Sequence, residues 1–157
     1  MFFTGTDYVE SGGTFSANLK SGGDGRILCK VYATSGWLAK TLQHVSYNYT
    51  TSDNTWFQPK AVGSGKGLVG IASDAIASGC LGWVTVRGPV TDASSSATVQ
   101  FTGSIGHAVF FCDASGMGAS SSAYLGLDHQ IGVLLEMATG TQAANIFLMG
   151  NVYATAM

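Results

Sequence analysis

Charge is what this sequence has least of. Asp, Glu, Lys and Arg make up 10% of its 157 residues, against about a quarter in ordinary globular chains. Seven Lys and Arg stand against nine Asp and Glu, for a net charge of −2. The few cations are scattered, which excludes the dense basic footprint that holds nucleic acid. Long apolar runs are absent too: none approaches the ~20 residues of a membrane-spanning helix. The first seven residues, Met1 to Asp7, carry no basic segment and no long apolar stretch. No signal peptide is expected, and the product is expected to be made and kept in a cytoplasm, with no membrane partner.

Low charge does not imply disorder here. Hydrophobic residues are 46% of the chain and the mean hydropathy is +0.25, whereas disorder requires low hydrophobicity. The length suits one domain, and a domain of this size buries roughly 70% of its unfolded surface. The polar surface must then come mostly from Ser, Thr, Asn and Gly. Such a surface is a poor one for a free monomer and a better one for a subunit packed against copies of itself or another lattice.

Two prolines, 22 glycines and no periodic helical stripe predict an all-β chain. Residues 26–32 read as a strand with Ile27, Cys29 and Val31 on one face. Residues 38–49 carry a competing helical spacing at Leu38, Leu42 and Val45, but alternate as a strand from about Lys40 onward. Residues 50–54 read as a loop, and Trp56-Phe57 before Pro59 as an edge strand. Residues 63–67 form a Gly-rich turn before a strand at 68–72. Further strands follow at 82–87, 97–102, 107–112, 132–137 and 146–153, with a Gly/Ser loop at 115–122 and a connection at 138–142. Roughly eight to ten short strands at this spacing suit a small antiparallel β-barrel or β-sandwich. Residues 1–25 are rich in Gly, Ser and Thr and poor in core-forming residues. They read as an extended N-terminal arm, followed by a single β domain over 26–157. Phe2, Phe3, Tyr8 and Phe15 punctuate the arm. They either fold back on the parent domain or lie on a neighbouring subunit or shell, and are the candidate inter-subunit or capsid contacts.

The motifs that carry chemistry are missing. Gly65-Lys66-Gly67-Leu68-Val69-Gly70 spells a dinucleotide fingerprint, but a loop precedes it and a strand follows, where a strand and then a helix are needed. A phosphate-binding loop ending at Gly65-Lys66 would need glycine where Lys60 stands and Ser or Thr where Gly67 stands. His44, His107 and His129 belong to no cluster. Asp128 adjoins His129, but neighbours on a strand point to opposite faces. No nucleophile elbow is present; the Gly63-Ser64-Gly65 spacing is too short. Cys29, Cys80 and Cys112 match no metal spacing and read as small buried hydrophobes. Asn48-Tyr49-Thr50 is a glycosylation sequon in a chain with no expected export. No catalytic, cofactor-binding or metal-binding residue is therefore assigned, and no enzyme is expected. Trp37, Tyr47, Tyr49, Trp56 and Phe57 supply either core and turn residues or a stacking platform for sugars.

One arrangement points further. Val69-Gly70-Ile71-Ala72, a Gly turn at Gly79, and Gly82-Trp83-Val84 are followed by Gly106-His107-Ala108-Val109. The chain closes with Ile131-Gly132-Val133-Leu134-Leu135 and a last strand from Ile146 to Val152. Together with the stretch from Leu38 to Tyr49, this resembles the head decoration (cement) and related minor structural proteins of tailed-phage virions, over about residues 38–153. The Ser-rich linker at 91–97 and the N-terminal arm lie outside that pattern. The resemblance implies a homotrimeric β subunit on the outer surface of a phage head, made in the host cytoplasm. Its partners would be the major capsid protein and its own copies. A protein that binds only the mature shell stabilises it by linkage, with oligomer avidity multiplying weak sites. The alternative function is a receptor- or glycan-binding module of a tail or fibre, resting on the aromatics.

Overall fold

The computed structural model describes residues 19–47, 56–57, 68–94, 100–112, 116–119 and 129–150. They form twelve strands: β1 (Leu19–Ser21), β2 (Ile27–Ala33), β3 (Leu42–Tyr47), β4 (Trp56–Phe57), β5 (Leu68–Ala72), β6 (Cys80–Ser94), β7 (Phe101–Gly103), β8 (Ala108–Cys112), β9 (Gly116–Ala119), β10 (His129–Leu134), β11 (Ala138–Thr141) and β12 (Ala143–Met149). There is no helix among the described residues, so the all-β expectation holds. Hydrogen bonds join the strands in the order β1-β2-β4-β3-β5-β6-β12-β10-β8-β9-β7-β11. All neighbours are antiparallel except β2–β4 and β7–β9. β6 also pairs with β2, so the first half curls round its own core. The sheet as a whole stays open at β1 and β11 and makes a sandwich-like body, not a closed barrel.

Two cores result. The first lies among Cys29, Val31 and Ala33 of β2, Trp37, Val45, Ala72, and Val84 and Val86 of β6. The second gathers Leu42, Val69, Ile71, Val90, Phe101, Val109, Leu134, Ile146 and Leu148, among others. Period-2 alternation assigns the sides. In β5, Val69 and Ile71 face the second core and Ala72 the first. In β3, Leu42 faces the second and Val45 the first. These two strands therefore belong to both cores and join them. Gly70 must stay small between them, because a Cβ there would come 2.9 Å from Val84 Cγ2.

Long strand β6 makes the connection covalent. Its first half pairs with β2 from Ala33↔Cys80 to Ile27↔Arg87. Its second half pairs with β12 from Met149↔Arg87 to Ala143↔Ser94. The change of partner falls at Arg87, immediately before Gly88-Pro89. Gly88 has φ +106°, and a Cβ there would approach Arg26 Cα and the Gly25 carbonyl at 2.8 Å. Pro89 has no N–H to give to a ladder. The Gly-Pro step therefore redirects a strand that the sequence reading ended at Arg87, and 91–94 is strand, not linker.

Several other expectations change. β4 is not an edge strand: it pairs with β2 on one side and β3 on the other. Residues 116–119, read as loop, form β9 against β8 and β7. The connection at 138–142 holds β11, paired with β7. At the first described residues, β1 pairs with β2 and Leu19 packs on the first core.

Candidate functional site

Residues 1–18 lie outside the described residues, and with them Phe2, Phe3, Tyr8 and Phe15. The described surface offers other contacts, foremost the outer face of β1, β2 and β6. Register places Tyr32 opposite Leu81 and Lys30 opposite Trp83, with side chains alternating away from the core residues Val31, Cys29 and Val84. Leu81 is 56% exposed and Tyr32 is exposed beside it. Trp83 is half-buried. Lys20 of β1 sets its Nζ 4.0 Å from the Trp83 ring centroid, and Lys30 sets its own at 5.9 Å. Each cation–π contact of this kind contributes about 0.5–1 kcal/mol at an exposed site.

A groove of about 510 Å³ runs beside this face, lined by Leu28, Leu81 and Trp83 on the sheet and by residues 73–77 of the turn after β5. That turn is anchored to the loop before β3 by reciprocal bonds: the Trp37 N–H donates to the Ile76 carbonyl (2.8 Å) and the Ile76 N–H to the Trp37 carbonyl (2.9 Å). Ile76 fills the space over Gly82, where a Cβ would collide with its side chain. The Ser78 hydroxyl donates to the Thr34 carbonyl at 3.1 Å. The groove wall is therefore a fixed turn pinned at both ends. At its rim, Asp24 and Arg26 form an ion pair, Nε to Oδ2 at 2.7 Å. The Arg26 side-chain hydrogen bond holds the Asp24 carboxyl below its usual range.

Elsewhere the apolar exposure concentrates at turns. Ile105 caps the β7–β8 turn, and Leu135 and Met137 lie in the β10–β11 turn. These turns are hydrogen-bonded together through Gly106 N to Leu134 O (2.8 Å) and Leu134 N to His107 O (2.9 Å). Leu38 stands out on the loop before β3. The described surface thus carries large apolar side chains in a chain with little charge to mask them.

The sequence-level candidates for other chemistry are placed as follows. Trp37 is 1% exposed and donates its indole N–H to the Thr41 carbonyl at 2.7 Å. It is a core residue and offers no face to a sugar. Tyr49 and Asp128 lie outside the described residues; Tyr47 and Trp56-Phe57 fall in β3 and β4. His107 serves its own turn, its Nδ1 accepting from the Ser104 N–H at 3.0 Å. His44 and His129 are placed in separate strands, β3 and β10. No group of three or more His, Cys, Asp or Glu side chains that could hold a metal occurs among the described residues. Cys29 is buried as expected, but Cys80 is exposed, and both thiols are free. Trp83, Leu81 and Tyr32 went unnoticed as surface residues. Their alternation with Val84 and Val31 was the signal that could have found them.

No helix among the described residues is long and apolar enough to cross a membrane. No protein-family model and no curated protein matches the chain. Among solved structures, the chain is similar to the head fibre gp8.5 N base of bacteriophage phi29, with a TM-score of 0.43 and 12% identity over 82% of this chain and 98% of that one.

Proposed function

We propose that this chain is a structural subunit of a tailed-phage virion, a decoration or cement protein that binds the outer surface of the mature head and stabilises it. The observation that carries the reading is the exposed outer face of β1, β2 and β6, where Tyr32, Leu81 and Trp83 stand in register on one sheet with Lys20 and Lys30 over the indole. Such a face suits a large protein partner better than a small substrate. The resemblance over residues 38–153 supplies the class of partner, the major capsid protein, and a homotrimer as the working oligomer. Binding to the expanded shell and not to free capsomers adds its free energy to shell stability. Three linked sites raise the effective affinity without any new contact.

The test is co-sedimentation of the purified chain with expanded, DNA-free heads of its phage, with the mass in solution measured by light scattering. Stoichiometric, saturable pelleting by a trimer supports the reading. A stable free oligomer that never pellets with heads refutes it and moves the weight to a tail or fibre module.

A further inference from the structure

A second cavity adjoins the groove and shares Arg26 and Ser73 with it. It has a volume of about 310 Å³ and opens where β5 and β6 part company; its polar lining includes Arg26, Lys40, Ser73, Thr85 and Thr91. Ile71 and Thr85, direct partners across the two strands, both line it. We infer that this cavity is a binding site for a small oxyanion, a phosphate or carboxylate group, held by Lys40, Arg26 and the Thr85 hydroxyl.

Four observations carry this. Thr85 is 1% exposed, the one buried polar residue among those whose burial is described, and its hydroxyl has no hydrogen-bond partner among the described residues. A buried hydroxyl without a partner calls for an explanation, and an oxyanion in the cavity would accept its proton. Arg26 holds Asp24 through its backbone N–H and, from the guanidinium, through Nε; neither Nη group has a partner among the described residues. Lys40 makes only a long contact, Nζ to Thr91 Oγ1 at 3.5 Å, and has no carboxylate partner there. With Asp24 as the one acidic group in the lining, the cations outnumber the anions.

The fourth observation is the backbone of Lys40. Its φ is +62°, a left-handed conformation that favours Gly or Asn over Lys. Two hydrogen bonds hold it so: the Lys40 N–H donates to the Ala72 carbonyl at 2.8 Å, and the Ser94 N–H donates to the Lys40 carbonyl at 2.7 Å. They tie the residue to the end of β5 and the end of β6. Backbone strain of this kind clusters at ligand-holding sites. Arginine and lysine with a hydroxyl supply the charge-assisted bonds that an oxyanion takes. The inference concerns the isolated chain and stands apart from any shell it binds.

The experiment is a titration of the ¹⁵N-labelled full chain with sodium phosphate, sodium acetate and sodium chloride at matched ionic strength, followed by amide shifts. Saturable shifts at Lys40, Ser73, Thr85 and Thr91 with phosphate or acetate, absent with chloride, are expected. Stronger binding of phosphate identifies a phosphoryl ligand; stronger binding of acetate identifies an acidic side chain or chain terminus. Lys40→Gly, which relaxes the backbone while removing the ammonium, should weaken binding by roughly tenfold or more. Thr85→Val, nearly the same shape, should weaken it by roughly fivefold. Shifts that chloride reproduces, or that persist undiminished in both variants, overturn the inference.

Discussion

Glu136 grips Asn145 with both carboxylate oxygens: Oε1 accepts from the Asn145 backbone N–H at 2.7 Å and Oε2 from its side-chain Nδ2 at 3.0 Å. Asn145 in turn accepts the Asp92 N–H on Oδ1 at 3.1 Å. Asn145 sits where the β12–β6 register shifts, between Ala144 and Ile146. Asp92, in the opposing strand, has φ +53°. The three residues thus hold together the bulge at which two strands of the sheet lose step. Glu136→Ala leaves two donors without their acceptor, and each part-buried bond lost costs about 0.5–1.5 kcal/mol. Urea unfolding should show the midpoint falling with an unchanged slope. A Glu136→Gln variant should recover part of that loss, since its amide oxygen still accepts one bond.

Gly88 and Gly132 predict a second pair of outcomes. Alanine at 88 must adopt φ +106° and press on the Arg26 backbone. Alanine at 132 would run into the Phe147 carbonyl across the β10–β12 ladder. Both substitutions should destabilise by more than the ~1 kcal/mol of an ordinary strained glycine replacement. Gly106→Ala is the control. It shares a positive φ, +85°, but nothing lies within 4 Å of its Cβ, so it should cost only the backbone strain. Thermal unfolding of the three variants ranks them.

Much of the fold was legible wherever a strand had one wet face. Ile27, Cys29 and Val31 alternate inward as their spacing predicted, and β3, β5 and β8 fall close to where period-2 patterns placed them. Legibility failed where local chemistry and long-range pairing disagree. Gly88-Pro89 has the composition of a strand end, yet it continues β6 just past its change of partner at Arg87, settled by β12 from far along the chain. Gly116–Ala119 has the composition of a loop, and only its ladder with β8 makes it a strand. Trp37 suited a sugar platform by type; the Thr41 carbonyl that accepts its indole N–H lets it be buried. The basic cavity was invisible because Arg26, Lys40 and Thr85 meet only through the β2–β6 and β5–β6 pairings.

The unpartnered Thr85 hydroxyl has a cost that can be measured without any ligand. Burying a hydroxyl with no partner disfavours the folded state by about 1–3 kcal/mol. Thr85→Val should therefore raise the stability of the free chain, by about 1 kcal/mol once repacking is allowed for. Adding phosphate should narrow the gap between the two proteins, because ligand binding stabilises only the folded chain that holds it. Urea midpoints with and without phosphate check both parts. A valine variant less stable than the parent would mean that the hydroxyl is satisfied in solution.

Cys29 and Cys80 should separate cleanly by reactivity. Burial pushes the Cys29 thiol well above its ordinary range, so it stays a protonated and inert thiol. Cys80 is exposed. Brief alkylation of the native chain, read by peptide mass, should mark Cys80 and spare Cys29 until urea is added. The same burial has a pH consequence. Below the unfolded thiol's value of about 8.5, both states hold the proton and Cys29 contributes its full packing. Above it the unfolded chain releases the proton while the folded one keeps it, so stability falls as pH rises. Cys29→Ala should flatten that alkaline slope relative to the parent.

The assembly reading turns on which apolar surface meets the shell, and two variants decide it. Leu81 lies on the outer face of β6, paired with Tyr32, and Met137 lies on the β10–β11 turn, 72% exposed. Glutamate at either exposed position should leave the fold within about 0.5 kcal/mol of the parent, so a binding change reports on contact and not on unfolding. Leu81→Glu places a charge among Tyr32, Trp83 and Leu28, where the shell would have to desolvate it. Its head association should weaken on the order of tenfold per site, and further where several sites act together. Met137→Glu should bind as the parent does. The reverse pattern would assign the shell contact to the turns at Ile105 and Met137 instead. The β2–β6 face has the stronger claim, since its side chains stand on a sheet already ordered by its own ladder and lose little further freedom on binding.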